Sequence, residues 1–299
     1  MGFTGNRIKG IIVKSIAGFC YVEAGDRVYE CKPRGAFRKE HISPVAGDIV
    51  EISTNGDKGS VESIDNRKNC FIRPPLANID KLFIVSSFTT PSINTLLIDR
   101  MTAIAEYMSV EPVIVFNKSD LGPFGNLPSI YENIGYHTYT VSASTGEGID
   151  GIKEELKGCL SAFSGNSGVG KSSLLNKLLP QLSLTVGEVS HKLGRGRHTT
   201  RQVELFKVDG GYVADTPGFS SLELTDFLIN DKDILQYCFK EFSNCLGKCR
   251  FSSCTHTSEP GCAVIGDVKN GLIAKSRHDS YVSMYNDLKQ IKQWEIKQK

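Results

Sequence analysis

Short apolar runs that alternate with polar residues, and that end at Gly, Asp and Asn turns, fill the first part of the chain. They recur from residue 8 to about residue 65. Strands of this length and spacing are typical of a small barrel of about five strands. The five runs lie at residues 10–13, 19–22, 27–31, 48–52 and 59–64.

The pattern changes after Pro74-Pro75. Residues 79–86 and 112–116 have the pattern of buried strands, and residues 94–108 have helical periodicity. Strand and helix then alternate to about Gly218, which predicts a mostly parallel sheet wrapped by helices. Beyond Leu224 the strand pattern ends, and helical and Cys-rich segments follow. We therefore predict a multidomain α/β protein. Its predicted domains are a β-barrel at 1–67, an α/β domain at 68–224 and a helical domain at 225–299.

Composition and charge narrow the class of protein. Of the 299 residues, 40% are hydrophobic and 23% are charged, which is typical of a soluble globular protein. The net charge is only +2, and this weak charge neither requires nor excludes a nucleic-acid partner. No apolar run approaches the roughly 20 residues of a membrane span, and no signal peptide is visible. We expect a cytoplasmic protein with no membrane partner. Nine cysteines without a secretory signal favour metal binding or plain burial over disulfides.

A phosphate-binding loop is indicated at residues 165–172, which match Gly-x4-Gly-Lys-Ser between a predicted strand and a predicted helix. Glycines let backbone N–H groups close around a β-phosphate, and the helix N-terminus adds its dipole. Lys171 would span the β- and γ-phosphates, and Ser172 would bind Mg²⁺. The alternative is a Gly-rich turn before an ordinary helix. The predicted phosphate-site residues are Gly165, Asn166, Ser167, Gly168, Val169, Gly170, Lys171, Ser172 and Ser173.

A guanine-binding motif precedes that loop along the chain. Its residues are Asn117, Lys118, Ser119 and Asp120. The Asp120 carboxylate matches the paired N–H donors on one edge of guanine, which adenine lacks, so ATP would leave it unpaired. Asn117 and Lys118 would support the loop, and a backbone N–H of Ser142-Ala143 would reach the guanine carbonyl. Alone, the motif also fits a turn at a strand end. Beside a phosphate loop, with both at the strand ends where α/β sheets bind ligands, it predicts GTP and GDP binding.

Two later segments would complete the Mg²⁺ site of the bound nucleotide. Asp215 closes a predicted strand and would hold Mg²⁺ through water, and the Gly218 N–H would face the γ-phosphate. The glycine-hinged basic loop at residues 194–200 carries a threonine for the metal shell. Thr200 is preferred over Thr199, with little to separate them.

The residue that would orient the attacking water is not evident. Phe219 follows Gly218, where many GTPases carry a glutamine, and a phenyl ring cannot orient water. Hydrolysis is then slow, or another residue acts. His198 is the nearest polar candidate for a catalytic residue, and its alternative is a purely structural role.

A candidate metal cluster lies near the C-terminus in the pattern Cys-x4-Cys-x-His-x5-Cys. Three thiolates and one imidazole fit one closed, tetrahedral, structural Zn²⁺ site. Unrelated free cysteines and an iron–sulfur cluster are the alternatives. The predicted zinc ligands are Cys249, Cys254, His256 and Cys262.

The guanine motif precedes the phosphate loop, which reverses the order of ordinary GTPases and predicts a circularly permuted GTPase domain. This order, with Gly-Arg-Gly-Arg-His-Thr-Thr, Asp-Thr-Pro-Gly-Phe and the cysteine pattern followed by Ala-Val, closely resembles the small-ribosomal-subunit biogenesis GTPases of the RsgA (YjeQ/YloQ) family. The resemblance extends to the barrel, whose segment 34–39 looks like the OB-fold of that family. It implies a GTP hydrolase that binds the small ribosomal subunit and its rRNA, is stimulated by the subunit and assists late maturation. We expect a monomer.

Contacts to RNA have two candidate regions. Arg34, Arg38 and Lys39 in the barrel would contact phosphates, or form a solvated surface. The last predicted helix, at residues 281–299, carries four lysines and either packs or binds RNA.

Two other functions stay open from the sequence. A small-molecule P-loop kinase would need a substrate pocket, and the guanine motif argues against it. A nucleic-acid-binding scaffold with a weakly active nucleotide switch is opposed by the intact Lys171, Ser172 and Asp215.

Overall fold

The computed structural model describes residues 7–39, 42–89, 91–180, 203–215, 222, 224, 227 and 232–290. The chain divides into two compact units, each with most of its contacts inside itself. The first unit comprises Met1–Phe83, Ile149–Ser164 and Lys171–Ser220, and the second comprises Ile84–Gly148, Gly165–Gly170 and Ser221–Lys299.

Strands predominate before residue 216 and helices after residue 231. The strands are β1 (Arg7–Ile16), β2 (Phe19–Ala24), β3 (Arg27–Pro33), β4 (Ile49–Asn55), β5 (Lys58–Ile64), β6 (Cys70–Phe71), β7 (Leu76–Ala77), β8 (Lys81–Ser87), β9 (Glu111–Asn117), β10 (His137–Val141), β11 (Leu160–Ser164), β12 (Glu204–Val208) and β13 (Gly211–Asp215). The helices are α1 (Gly35–Lys39), α2 (Thr95–Tyr107), α3 (Leu127–Glu132), α4 (Ile149–Leu156), α5 (Lys171–Leu178), α6 (Ala263–Lys269) and α7 (Lys275–Gln290), with 3-10 segments at Ser119–Leu121, Lys232–Cys238 and Lys240–Phe242.

The first five strands close into a barrel inside the first unit. β1 pairs with both β2 and β4, β2 with β3, β3 with β5, and β5 with β4. Alternate residues point inward, so that Ile12, Val22, Val50, Ile52 and Val61 are fully buried. The predicted five-stranded, OB-like barrel is confirmed.

The remaining sheet of the first unit continues from that barrel in the order β1-β12-β13-β11. β11 and β13 are parallel, but β12 and β13 form an antiparallel hairpin. Lys14 of β1 lies opposite Glu204 of β12, and their side chains form an ion pair at 2.8 Å. The sheet is therefore more mixed than predicted, because β12 and β13 are joined by a tight turn and not by a crossover helix.

The second unit contains the parallel strands β9 and β10 and the larger part of β8, which lies beside β9. Helix α2 follows the predicted helical pattern closely. The Asn94 side chain caps its first turn by accepting from Leu97 N, and Met108 closes its last. Between residues 232 and 290 the structure contains helices and turns and no strand, as predicted.

Helix α7 begins at Lys275, six residues before the predicted start. The prediction was wrong because Arg277 and His278, which look like surface residues in the sequence, are buried on this helix.

Among the described residues no helix is long and apolar enough to cross a membrane. The two predicted domain boundaries, at residues 67/68 and 224/225, stay predictions.

Candidate functional site

The predicted phosphate loop connects β11 to α5, in the expected strand–loop–helix order. Gly165, Gly168 and Gly170 all have positive φ angles, of 142°, 82° and 94°. A Cβ atom at Gly165 would lie 2.2 Å from the Val85 carbonyl oxygen, and one at Gly170 would lie 2.3 Å from Asn117 Nδ2. Only glycine fits these two positions, so the loop geometry explains this part of the sequence pattern.

The guanine motif and the phosphate loop are joined by one side chain. Asn117, at the end of β9, is 1% exposed. Its Nδ2 donates to the Val169 carbonyl oxygen at 2.9 Å, and its Oδ1 accepts from Ala143 N at 3.0 Å. The amide thus holds three segments together that are far apart in the chain.

Asp120 and Ser142 also lie together. Ser142 Oγ donates to Asp120 Oδ1 at 2.6 Å, which orients the exposed carboxylate. Sequence reasoning missed this contact, because it considered only the backbone of Ser142-Ala143. Those backbone N–H groups are also occupied, since Ser142 N donates to the Glu147 carbonyl and Ala143 N to Asn117. A guanine carbonyl would have to share the Ala143 N–H.

Lys118 adopts a left-handed conformation with φ 68°, just before the 3-10 segment that carries Ser119 and Asp120. A non-glycine residue in this region is strained by about 1–3 kcal/mol, and such strain concentrates at functional sites. The turn places Lys118 and Asp120 at the end of the same strand as Asn117.

Lys171 begins helix α5, with Ser172 and Ser173 half-buried behind it. Burial lowers the pKa of the Lys171 ammonium to about 8. An anion beside it would stabilise the charged form. The chemistry of this position therefore fits a phosphate.

The remaining nucleotide-site candidates fall largely outside the described residues. His198, Thr199, Thr200 and Gly218 all lie there. The backbone of Asp215 ends β13, where it pairs with Glu204, and its side chain is not described.

The four predicted metal ligands come together in the second unit. One ligand atom from each of Cys249, Cys254, His256 and Cys262 lies within 4.8 Å of the others. Cys249 Sγ is 3.5 Å from His256 Nδ1 and 3.9 Å from Cys262 Sγ, and His256 Nδ1 is 3.4 Å from Cys262 Sγ.

The ionisation of these groups fits a cation. Burial, with the thiols of Cys262 and Cys249 beside it, raises the pKa of Cys254 to about 12, and burial also raises the pKa of Cys262. Burial lowers the pKa of His256, which keeps the imidazole neutral with a lone pair to offer. Thiolates in such a place need a positive ion, so this Cys3His cluster could hold a metal. Nearby Cys245 is buried and donates to Asp267 Oδ2 at 3.0 Å, apart from the cluster.

The candidate RNA-binding residues of the barrel are only partly described. Arg34 Nη1 forms an ion pair with Glu62 Oε2 at 2.7 Å, so its charge is already partly compensated. The side chains of Arg38 and Lys39 lie outside the described part of the molecule, as do residues 291–299 of the last predicted helix.

Two family models match the chain. The RsgA N-terminal domain matches residues 9–61, and the RsgA GTPase matches residues 64–225.

Curated relatives match over nearly the whole chain. One named small ribosomal subunit biogenesis GTPase RsgA, from Caldanaerobacter subterraneus subsp. tengcongensis, is 45% identical over 95% of this chain and 97% of its own. Another of that name, from Moorella thermoacetica, is 45% identical over 92% and 96%.

Solved structures agree with these sequence matches. YjeQ from Thermotoga maritima superposes with a TM-score of 0.81 at 36% identity, covering 96% of this chain and 100% of that one. YloQ, described as a circularly permuted GTPase, has a TM-score of 0.80 at 35% identity and covers 96% of each chain.

Proposed function

We infer that this chain, which belongs to the RsgA GTPase family, hydrolyses GTP to GDP and phosphate and serves in the biogenesis of the small ribosomal subunit. The observation that carries the nucleotide assignment is the Asn117 amide, which bonds to the phosphate loop through Val169 and to the Ser142-Ala143 segment through Ala143. A base held by this motif is thereby placed at a set distance from the phosphates.

The base contacts follow from the orientation of Asp120. Because Ser142 Oγ holds Oδ1, the carboxylate is turned so that Oδ2 and the second lone pair of Oδ1 can accept from guanine. Ala143 N–H would be shared between Asn117 Oδ1 and the guanine carbonyl. Lys118 would pack its stem on the base.

The phosphate contacts are assigned to the loop and to the start of α5. Backbone N–H groups of residues 165–170 and the Lys171 ammonium would bind the β- and γ-phosphates, and Ser173 would support the α-phosphate side. Ser172, Thr200 and Asp215 would hold the Mg²⁺ that accompanies GTP, and Gly218 would contact the γ-phosphate. Mg²⁺ would neutralise charge that develops during transfer.

Hydrolysis is proposed to be slow until the subunit binds. Phe219 occupies the position that many GTPases give to a water-orienting glutamine, and His198 is the proposed replacement. The subunit would complete the site by placing that histidine beside the attacking water.

The Cys3His cluster is proposed to hold one structural Zn²⁺. Three sulfurs and one nitrogen within 4.8 Å match tetrahedral zinc and leave no position for a reacting water. The ion would hold together the turns at residues 249–262, which bury few apolar side chains of their own.

The proposed partners are the small ribosomal subunit and its rRNA, together with GTP and GDP. The OB-like barrel and the zinc-binding segment are the two candidate modules for RNA, since such barrels bind single strands and loops. We propose a cytoplasmic monomer with domains at residues 1–67, 68–224 and 225–299.

The nucleotide assignment is tested by changing Asp120→Asn and measuring hydrolysis of GTP, ATP and xanthosine triphosphate. The variant can keep Oδ1 as the acceptor for Ser142 and present an amide that donates where the carboxylate accepted. We expect the wild type to prefer GTP and the variant to shift toward xanthosine triphosphate.

The matched control is Asp150→Asn, an exposed carboxylate on α4 that pairs with Lys153. This change should leave the preference for GTP intact. Equal use of ATP and GTP by the wild type would remove the guanine assignment.

A further inference from the structure

We propose that Gln236 is a positioning residue for the metal: it fixes which nitrogen of His256 faces the three thiols. Gln236 Oε1 lies 3.0 Å from His256 Nε2, on the side of the ring away from the sulfurs. The inference rests on the proposed zinc site and adds a residue that is 20 positions away in the chain.

The orientation of the Gln236 amide is determined by a second hydrogen bond. Its Nε2 donates to the Asp233 carbonyl oxygen at 2.8 Å. A carbonyl oxygen can only accept, so the amide nitrogen must face Asp233. The amide oxygen is then the atom that faces His256.

The tautomer of His256 follows from that oxygen. Oε1 can only accept, so the hydrogen of the neutral imidazole must reside on Nε2. Nδ1 is left with its lone pair, and it is the nitrogen that lies 3.5 Å from Cys249 Sγ and 3.4 Å from Cys262 Sγ. A metal ion among the sulfurs would therefore bind Nδ1. The outer hydrogen bond also makes that nitrogen a better ligand.

The backbone at His256 is held as firmly as the ring. His256 has a left-handed φ of 60°, and its carbonyl oxygen accepts from His278 Nε2 of helix α7 at 2.7 Å. The Phe242 ring stands at a steep angle to the imidazole, with centroids 6.1 Å apart. Gln236 supplies the remaining constraint, because its hydrogen bond restricts rotation of the imidazole about the Cβ–Cγ bond.

Gln236 also connects the metal to the segment that precedes it. It lies in the 3-10 segment Lys232–Cys238, whose Leu235 and Cys238 are buried and which packs against α2 and α7. The metal would thus be bonded, through one histidine and one glutamine, to a segment that α2 holds in place.

The test uses the full-length, zinc-loaded protein labelled with ¹⁵N-histidine. Long-range ¹H–¹⁵N spectra of the wild type should show His256 protonated on Nε2 and metal-bound through Nδ1. Zinc affinity is then measured by competition with a chromophoric chelator. Gln236→Leu keeps the size but removes the acceptor, and it should weaken zinc binding by about 10- to 100-fold. Gln236→Glu keeps an acceptor and should stay near the wild-type affinity.

The control is Tyr237→Ala, an exposed neighbour in the same segment, which should leave zinc affinity unchanged. The opposite tautomer in the wild type, or unchanged zinc affinity in Gln236→Leu, would overturn the inference. If Gln236→Leu does not fold, the wild-type spectra decide, because the proposal requires the proton on Nε2 and the metal on Nδ1. A wild type that binds no zinc would remove the proposed zinc site itself, and zinc bound through Nε2 would remove only the role of Gln236.

Discussion

At the scale of single residues, the side chain of Asn117 holds the proposed nucleotide site together. Its amide nitrogen donates to the Val169 carbonyl oxygen, and its amide oxygen accepts from Ala143 N. The amide also packs against the Cα of Gly170, where a Cβ atom would not fit. A buried polar group that loses its partner costs about 1–3 kcal/mol. The Val169 carbonyl and the Ala143 N–H both depend on this residue, so it contributes strongly to the structure of the site even without touching the nucleotide.

Replacing Asn117→Leu should therefore lower the free energy of unfolding by about 2–4 kcal/mol and weaken GTP binding at least about tenfold, because Val169 O and Ala143 N both lose their partner. Urea unfolding and calorimetric titration measure these effects. Asn126→Leu is the control, since the Asn126 side chain is exposed and makes no capping bond on α3. Equal behaviour of the two variants would contradict the bracing role of Asn117.

The lowered pKa of Lys171 predicts that GTP affinity depends on pH. Burial lowers the pKa of the Lys171 ammonium from its usual 10.5 to about 8. Between these values the unfolded chain binds more protons than the folded one, so the contribution of this group to stability rises with pH in that window and is least favourable below pH 8. Bound phosphate would raise the pKa again. GTP binding should therefore take up a proton above pH 8, and affinity should fall as pH rises.

Calorimetry at pH 8.5, in buffers of different ionisation enthalpy, measures this proton uptake directly. Lys171→Arg is the control, because a guanidinium stays charged at this pH and should show no uptake from this position. Equal uptake in both proteins would assign the proton to another group.

Among the elements, helices α2 and α7 are joined by a buried ion-pair network. Arg277 of α7 is 1% exposed, and its Nη1 donates to Asp99 Oδ1 of α2 at 2.8 Å. Its Nε donates to Glu241 Oε1 at 2.7 Å, and Tyr131 OH donates to the same Asp99 oxygen at 2.8 Å. Aromatic faces of Phe239 and Tyr131 flank the guanidinium. The network joins the segment that follows residue 232 to a helix of the GTPase region.

Arg277→Met should lower the free energy of unfolding by about 3–5 kcal/mol, since it leaves two buried carboxylates without their cation. The control on the same helix is Lys275→Ala, which removes an exposed pair with Asp279 and should cost less than about 1 kcal/mol. Chemical denaturation compares the two. A loss below about 1 kcal/mol for Arg277→Met would show that the carboxylates are protonated or solvated instead.

Across the whole molecule, the permuted order of motifs sets which elements follow the two proposed switch segments along the chain. The loop that carries Thr200 leads into β12, whose Glu204 pairs with Lys14 of the barrel strand β1. A second ion pair joins Lys207 of β12 to Glu23 of β2. At its other end, the segment after Asp215 leads along the chain toward the metal cluster. In the proposed mechanism, a change in these segments on hydrolysis would be passed along the chain toward both candidate RNA-binding modules.

The parts that sequence reasoning predicted well are those that depend on near neighbours in the chain. The strand–loop–helix order around residues 165–172, the turn that follows β9 and the approach of four Cys and His ligand atoms each involve a short stretch of chain, so the spacing of residues in the sequence predicts them. The bond from Arg277 to Asp99 joins residues 178 positions apart, and no local periodicity indicates it. The early start of α7 was missed for the same reason, because a buried arginine looks like a surface residue until its partners are known. The pairing of β12 with β13 as a hairpin likewise depends on the turn between them.

The most direct test of the account is the rate of GTP hydrolysis with and without purified small ribosomal subunits. Alone, the protein should hydrolyse GTP at the slow rate of unassisted GTPases, about 10⁻⁴ to 10⁻² s⁻¹, and subunits should raise that rate at least about tenfold. His198→Ala should lose most of the stimulation and keep its nucleotide affinity. A rate that small subunits leave unchanged would contradict the assignment of a subunit-stimulated GTPase.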